Sequence, residues 1–437
     1  MGVASARTIP AACANLGPVD PALPDPGLAD IDLCDLDRFA LGFPHDVFAR
    51  LREQAPVWLH PPTPNVPGAE GFWVLSRHAD VSAAAADTAT FSSVGGGGRE
   101  GGGTLIEDLP PGYTGVLLNM TDDPFHQRFR SLLTPAVAPR AVAAMEADLR
   151  ARAAEVVRTA LERGDVDLLV DVAAELPLQA AAGLLGVPQE DRQQLVAWAD
   201  ATLDHTDRDL GGSSDHAAEA AAAMFDYGRQ LIARRRDQPG DDLLSIAVHG
   251  TVEDGGDRRP LREDELQLLF SLLVAAGTET TRNTIVVGLA ELAHRPADWS
   301  SLSGDPDGVP LAVEEMLRFA SSTPYNRRTV TSDVELHGRV LRAGDRVTLW
   351  WASANRDEAE FTEPDRFDVR RSPNRHLAFG HGSHFCLGAR LARLEIRVLV
   401  EELLAKVRGI ELTGPIEWTR SNKHTGVRHL PARLLPR

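Results

Sequence analysis

From Glu263 to His294, with Pro296 just beyond, the chain carries one unbroken helical pattern of about thirty residues. At 1.5 Å per residue it predicts a rod of roughly 45 Å, against a usual helix of about 11–12 residues. Leu266, Leu269, Phe270, Leu273 and Val274 form its apolar face. In its middle lies Ala276-Gly277-Thr278-Glu279-Thr280-Thr281. Glycine there costs about 1 kcal/mol relative to alanine, and β-branched threonines lower helix propensity further. A helix that weakens itself at its centre is making room. Either another helix packs into the notch at Ala276 and Gly277, or a ligand fits there. The Thr280 hydroxyl is placed to bond back to the Ala276 carbonyl and open the ladder locally.

The remaining patterns predict a mainly α chain with a small β region. Helices are expected over Pro44–Glu53 and Asp80–Asp87. Almost all of Arg140–Arg235 is helix-forming, with breaks at Gly164, Gly186-Val187-Pro188 and Gly211-Gly212. Strand patterns occupy Val57–Leu59, Phe72–Leu75, Arg328–Gly338 and Arg346–Trp351. Within 437 residues, 43% hydrophobic and 25% charged, no repeat or linker divides the chain. A single domain is expected over 31–437, preceded by an Ala- and Pro-rich mobile tail over 1–30. The net charge of −18 argues against nucleic acid or an anionic membrane as partner. No apolar run is long enough for a membrane span. Three cysteines without disulfide spacing and no signal-peptide pattern lead us to expect a cytoplasmic protein. Gly96-x-Gly98-x-x-Gly101 formally matches a dinucleotide fingerprint, but no strand precedes it and no helix follows. We read it as a flexible loop.

The chemistry concentrates in Phe379-Gly380-His381-Gly382-Ser383-His384-Phe385-Cys386-Leu387-Gly388. A helical pattern follows Cys386, with Leu387, Leu391, Leu394 and Val398 on one face. The sulfur therefore sits at a helix N-terminus, whose dipole and unpaired N–H groups favour thiolate. A held thiolate is a suitable axial ligand for haem iron, where its electron donation favours O–O bond cleavage. An inert buried cysteine is the plain alternative. A zinc site with His376, His381 and His384 is another, though the spacing matches no structural zinc pattern and no second cysteine is near. The whole pattern Phe-x-x-Gly-x-x-x-Cys-x-Gly is far more specific than its parts. With Ala389-Arg390-Leu391-Ala392-Arg393 behind it, the chain closely resembles the cytochrome P450 family, the haem-thiolate monooxygenases.

The resemblance implies a cytochrome P450 fold with haem b between the long central helix and the cysteine loop. It makes Cys386 the iron ligand, with Phe379, Gly382, Gly388, Ala276 and Gly277 against the porphyrin. His126 and Arg130 open a helix after Asp123-Pro124, four residues apart and hence on one face. By likeness they meet the haem propionates, as do Arg328 and His384. Relatives often carry Glu before that histidine, where this chain has Phe125. The central segment resembles the oxygen-binding motif, which makes Thr280 the proton-delivering hydroxyl and Glu279 its link to solvent. A hydroxyl plus a buried acid is a minimal relay. Glu315 and Arg318, at i and i+3, are implied to join Arg366 in one buried ion network holding the cysteine loop. Tyr325 and Asn326 would face the substrate.

The expected reaction inserts one oxygen atom from O2 into an apolar small molecule, with electrons from NAD(P)H through a ferredoxin or flavodoxin and its reductase. Likeness in Leu118-Asn119-Met120 and Thr280-Thr281-Arg282-Asn283 leans towards steroid, terpenoid or fatty substrates. A coupling, desaturation or epoxidation step is the alternative within the family, and a non-catalytic haem sensor the alternative outside enzymes. From Arg366 to Arg397 stand seven arginines and two acids, Asp368 and Glu395. Arg390, Arg393 and Arg397 share one helix face, either solvated or a docking patch for an acidic electron carrier.

Overall fold

A computed structural model describes residues 7–8, 27–109, 112–204 and 214–437. Most of the expected tail and the Gly211-Gly212 turn lie outside the described residues. Leu28, inside the stretch expected to be tail, is buried in the core.

The central helix runs from Glu263 to Ala293, 31 residues. Its two ends feed two different cores. Leu266, Leu269, Phe270 and Val274 pack with Phe129, Leu133, Ile232 and Leu243. Ile285, Val286 and Leu289 pack instead with Val313, Met316, Leu394 and Val398. Between them, Ala276, Gly277, Glu279, Thr280, Thr281 and Thr284 line a cavity. Around this rod stand the helices Pro139–Arg163, Glu175–Leu184, Arg192–Asp204, Ser214–Asp237, Val309–Ala320 and Ala389–Lys406. The break at Gly164 is real: its φ of +80 suits only glycine at low cost.

Among the described residues the sheet with most strands has five, ordered Val57–His60, Phe72–Leu75, Arg346–Leu349, Asn326–Val330, Phe91–Ser92, beside smaller sheets of two or three strands. Phe72–Leu75 and Arg346–Leu349 pair parallel, and the other neighbours pair antiparallel. The expected strand over Arg328–Gly338 divides into Asn326–Val330 and Val334–Leu336. The strand expected to reach Trp351 stops at Leu349, because Trp351–Ala354 turns helical. A two-stranded ribbon, Glu417–Trp418 with Val427–His429, carries a loop back to the central helix.

The glycine-rich segment is folded rather than featureless. Gly97 has no room for a side chain, since a Cβ would lie 2.1 Å from the Gly344 nitrogen. Arg99 forks onto Glu70 at 2.8 Å and Asp108 at 2.7 Å, and Asp108 also holds buried Arg327 at 2.8 Å.

The ion network is present with one change of partner. Glu315 and Arg318 are fully buried and paired at 2.7 Å. The third member is Arg371, whose Nε lies 3.1 Å from Glu315. Arg366 turns outward to Glu363, and both side chains are largely exposed. Only its backbone carbonyl joins the network, accepting from Arg318 at 3.1 Å and Arg371 at 2.9 Å. The turn after Pro364 brings in the main chain of Arg366 and the side chain five residues on. Burial pulls the Glu315 carboxyl upward, but Arg318, the Asp368 N–H and Arg371 outweigh it and hold it below its usual value. Removing one member leaves buried charge uncompensated. Glu315→Ala or Arg371→Ala should cost about 3–5 kcal/mol in urea unfolding, whereas Arg366→Ala should cost under about 1 kcal/mol. Equal losses at Arg366 and Arg371 would contradict this arrangement.

Candidate active site

The cysteine loop closes on itself: the Cys386 N–H donates to the Phe379 carbonyl at 2.8 Å. Helix begins at Ala389, with Gly388 as N-cap. The sulfur therefore stands just before the first turn, as expected, and lines the cavity. Burial raises the thiol above its ordinary value, against the Gly388 and Ala389 N–H groups, Arg130 and Arg393, which pull it down. Among the protein groups the helix terminus does not outweigh that burial, and a metal cation bound to the sulfur would supply the missing stabilisation.

The other loop residues divide by role. Gly382, at φ +71, packs against the helix His78–Ala86, where a Cβ would lie 2.9 Å from the Ala85 carbonyl. A Cβ built on Gly388 would meet no neighbouring atom within 4 Å, and the residue lines the cavity, leaving a flat approach to the sulfur. Phe379 lines the cavity too, and the Arg393 guanidinium stacks on its ring at 4.6 Å.

On the central helix, the Thr280 hydroxyl donates to the Ala276 carbonyl at 3.1 Å. The helix stays α throughout, so the expected local opening does not occur. Gly277 proves to be a packing notch as well as a cavity residue: a Cβ there would come 2.9 Å from the Ala181 Cβ of the neighbouring helix. Ala276 faces the cavity. Glu279 is buried, with its Oε2 3.3 Å from His424 Nδ1. Nothing in the sequence pattern points to His424, because the ribbon loop is distant along the chain.

His126, Arg130, Arg328 and His384 gather at one edge of the cavity. The His126 and His384 rings stand 3.9 Å apart. His126 sits between the Leu118 carbonyl at 2.9 Å and the Ser383 carbonyl at 3.1 Å, so it also ties its helix to the cysteine loop. Arg328 is buried, its Nη1 donating to the Arg327 carbonyl at 3.0 Å while Nε has no partner. Desolvation pushes Arg328 down to about 10 and His384 down to about 2, and lowers Arg130. Two dehydrated guanidinium cations, Arg130 and Arg328, gathered with two desolvated imidazoles at one edge are a seat for an anionic group. With a cysteine sulfur, a side-chain-free N-cap and small residues on the facing helix, this donor set fits a haem with its carboxylates at the cationic edge.

The cavity measures about 480 Å3 and is walled by Leu184, Leu185, Leu243, Leu272 and Leu273, with Tyr325 and Asn326 also at its lining. Glu395, a buried acid at the lining, has an unpartnered Oε2, and burial raises its carboxyl well above the usual range. Among the described residues no His, Cys, Asp and Glu cluster could hold a metal ion, so the zinc alternative has no site there. No described helix is long and apolar enough to cross a membrane. On the expected docking face, Arg393 is held by Glu314 at 2.6 Å and Arg397 by Glu146 at 2.9 Å. Arg390 remains the exposed cation of the three.

Comparison with known proteins gives a consistent answer. The family model described as Cytochrome P450 matches residues 309–413. A cytochrome P450 of Mycobacterium tuberculosis is 44% identical over 409 residues, 93% of this chain and 98% of the relative. A methyl-branched lipid omega-hydroxylase of Mycobacterium bovis is 39% identical, covering 93% of this chain and 95% of its own. The solved structure of a Mycobacterium marinum cytochrome P450 in complex with pseudoionone aligns with a TM-score of 0.81 at 35% identity, covering 89% of this chain and 94% of that one. Sulfur, cationic edge, central helix and fold thus agree with kinship over nearly the whole chain: it belongs to the cytochrome P450 family and is a monooxygenase, an oxidoreductase.

Proposed function

We propose that this monooxygenase hydroxylates an apolar small molecule of the lipid, terpenoid or steroid kind. The observation that carries this reading is the leucine-walled cavity of about 480 Å3 lying between Cys386 and the Thr280 turn. Relatives named for methyl-branched lipids, linalool (Pseudomonas putida, 32% identical) and a steroid C26 position (Rhodococcus jostii, 33% identical) support the substrate class.

Haem b, when bound, supplies the oxygen-activating chemistry, with O2 as co-substrate and NAD(P)H as the distant electron source. Cys386 provides the thiolate, and the Gly388 and Ala389 N–H groups temper its charge. Arg130, Arg328, His126 and His384 would hold the carboxylates, while Phe379, Gly382 and Gly388 would shape the loop side of the seat and Ala276 and Gly277 its helix side. Thr280 positions a hydroxyl over the cavity, and its bond to Ala276 leaves the oxygen lone pairs free to accept. The Glu279 carboxyl group stands one residue away, buried at the cavity lining. The apolar walls exclude water from everything but this polar corner. Electrons come from a ferredoxin or flavodoxin through its reductase, and the protein works in the cytoplasm. The remaining exposed cation near the cysteine loop, Arg390, favours an acidic carrier. A coupling, desaturation or epoxidation step uses the same residues, and no observation here favours it over hydroxylation.

Reduced, haem-loaded protein exposed to carbon monoxide should show the absorption band of trans thiolate ligation, and Cys386→Ser should lose it. Retention of that band in the serine variant would remove Cys386 as ligand. A library of lipophiles titrated against the ferric protein should give Soret shifts for terpenoid, steroid or fatty compounds, and their products should carry one added oxygen. Shifts confined to polar compounds would overturn the substrate class. Thr280→Ala should retain haem but divert electrons to hydrogen peroxide, with product per NAD(P)H falling by up to ~10²-fold, the low end for a positioned proton donor. Unchanged coupling would take Thr280 out of proton delivery.

A further inference from the structure

We propose that His424 is a positioning residue for proton delivery: it holds the Glu279 carboxylate beside Thr280 and keeps it in proton exchange with water. The proposal rests on the monooxygenase reading above. Three observations carry it. His424 Nδ1 lies 3.3 Å from Glu279 Oε2, and both residues line the cavity. That nitrogen is buried and makes no hydrogen bond, and the Glu279 carboxylate stands at ion-pair distance from it. The imidazole is also the better hydrated of the two, with 24% of its side chain exposed against 10% for Glu279.

The ribbon loop is also fixed in place, against the central helix and against its other neighbours. Gly426 lies so close that a Cβ would come 2.9 Å from Asn283 Nδ2 and 3.0 Å from Thr419 Oγ1. Asn283 is one turn beyond Glu279 on the same helix. The Thr425 N–H donates to the Ser322 carbonyl at 3.0 Å, Asn422 Nδ2 donates to the Leu33 carbonyl at 2.9 Å, and Lys423 pairs with Glu107. A loop fixed at four neighbouring points presents its histidine in one place, which is what an orienting partner needs. When Glu279 gives up a proton towards Thr280, the imidazole passes one on and recovers it from water, so the pair ends as it began.

The test compares His424→Ala, His424→Gln and Gly426→Ala in the haem-loaded protein with any lipophile that the wild type oxidises. His424→Ala should lower product per NAD(P)H about 10-fold, with peroxide rising, while the Kd from Soret titration stays within about twofold. Glutamine, which can hold the carboxylate but not exchange protons, should recover part of the loss. Gly426→Ala, which leaves every polar group in place but lifts the loop, should move coupling in the same direction. In diamagnetic, carbon monoxide-bound protein, Glu279→Gln should shift the His424 ring resonances in a long-range 1H–15N imidazole spectrum. Full coupling in His424→Ala overturns the proposal, as does an affinity loss without any change in coupling, or a silent imidazole spectrum. A wild type that oxidises no lipophile sinks the substrate reading instead, and the imidazole spectrum still decides the contact.

Discussion

The buried pairing of Glu315 with Arg318 and Arg371 is the constraint on which the rest depends. It fixes the helix Val309–Ala320 to the segment 355–371, since Arg318 also reaches the carbonyls of Asn355 and Pro364 at 2.8 Å each. That segment leads straight into the cysteine loop. Asn374 Nδ2 donates to Glu315 at 3.1 Å, and the Leu377 N–H reaches Asn355 Oδ1 at 2.6 Å, so the approach to Phe379 is tied at successive steps. Buried ions are a costly way to gain stability, but they tolerate only one arrangement. A sulfur that must meet a ligand at a fixed place benefits from that intolerance.

Much of this was legible in the sequence, for reasons that differ by element. The central helix announced itself through length and period, and it ends within one residue of the expected boundary. The cysteine loop could be read because its glycines and cysteine sit close together in the chain. The partner of Glu315 could not be settled that way. Arg366 and Arg371 flank the same turn, and only the path of the main chain decides which side chain turns inward. The Gly277 notch was open between packing and ligand, and the nearby Ala181 shows that it serves the first while lining the space of the second. His424 was invisible for a plainer reason: a lone histidine in a late loop gives no signal until the ribbon folds it against Glu279.

The cavity is electrically lopsided. Arg130 and Arg328 bring two cations to the edge near His126, the acid Glu279 stands on the central helix, and leucines form much of the wall between. Such an arrangement orients a bound group by its charged rim while leaving the reacting volume greasy. The arginines of the terminal helix, by contrast, are mostly spent on intramolecular carboxylates. Arg393 serves the cysteine loop from beneath, through Glu314 and the Phe379 ring, more than it serves any visitor.

The fork at Arg99 has a mechanical consequence. Glu70, Arg99, Asp108 and Arg327 form one chain of charge running from the sheet edge, through the glycine-rich segment, to the strand whose next residue is Arg328. Lifting that segment must either snap the chain or drag the strand with it. The glycine-rich segment and the cationic edge are thus strung on the same cord, and a displacement of the first would be felt at the second.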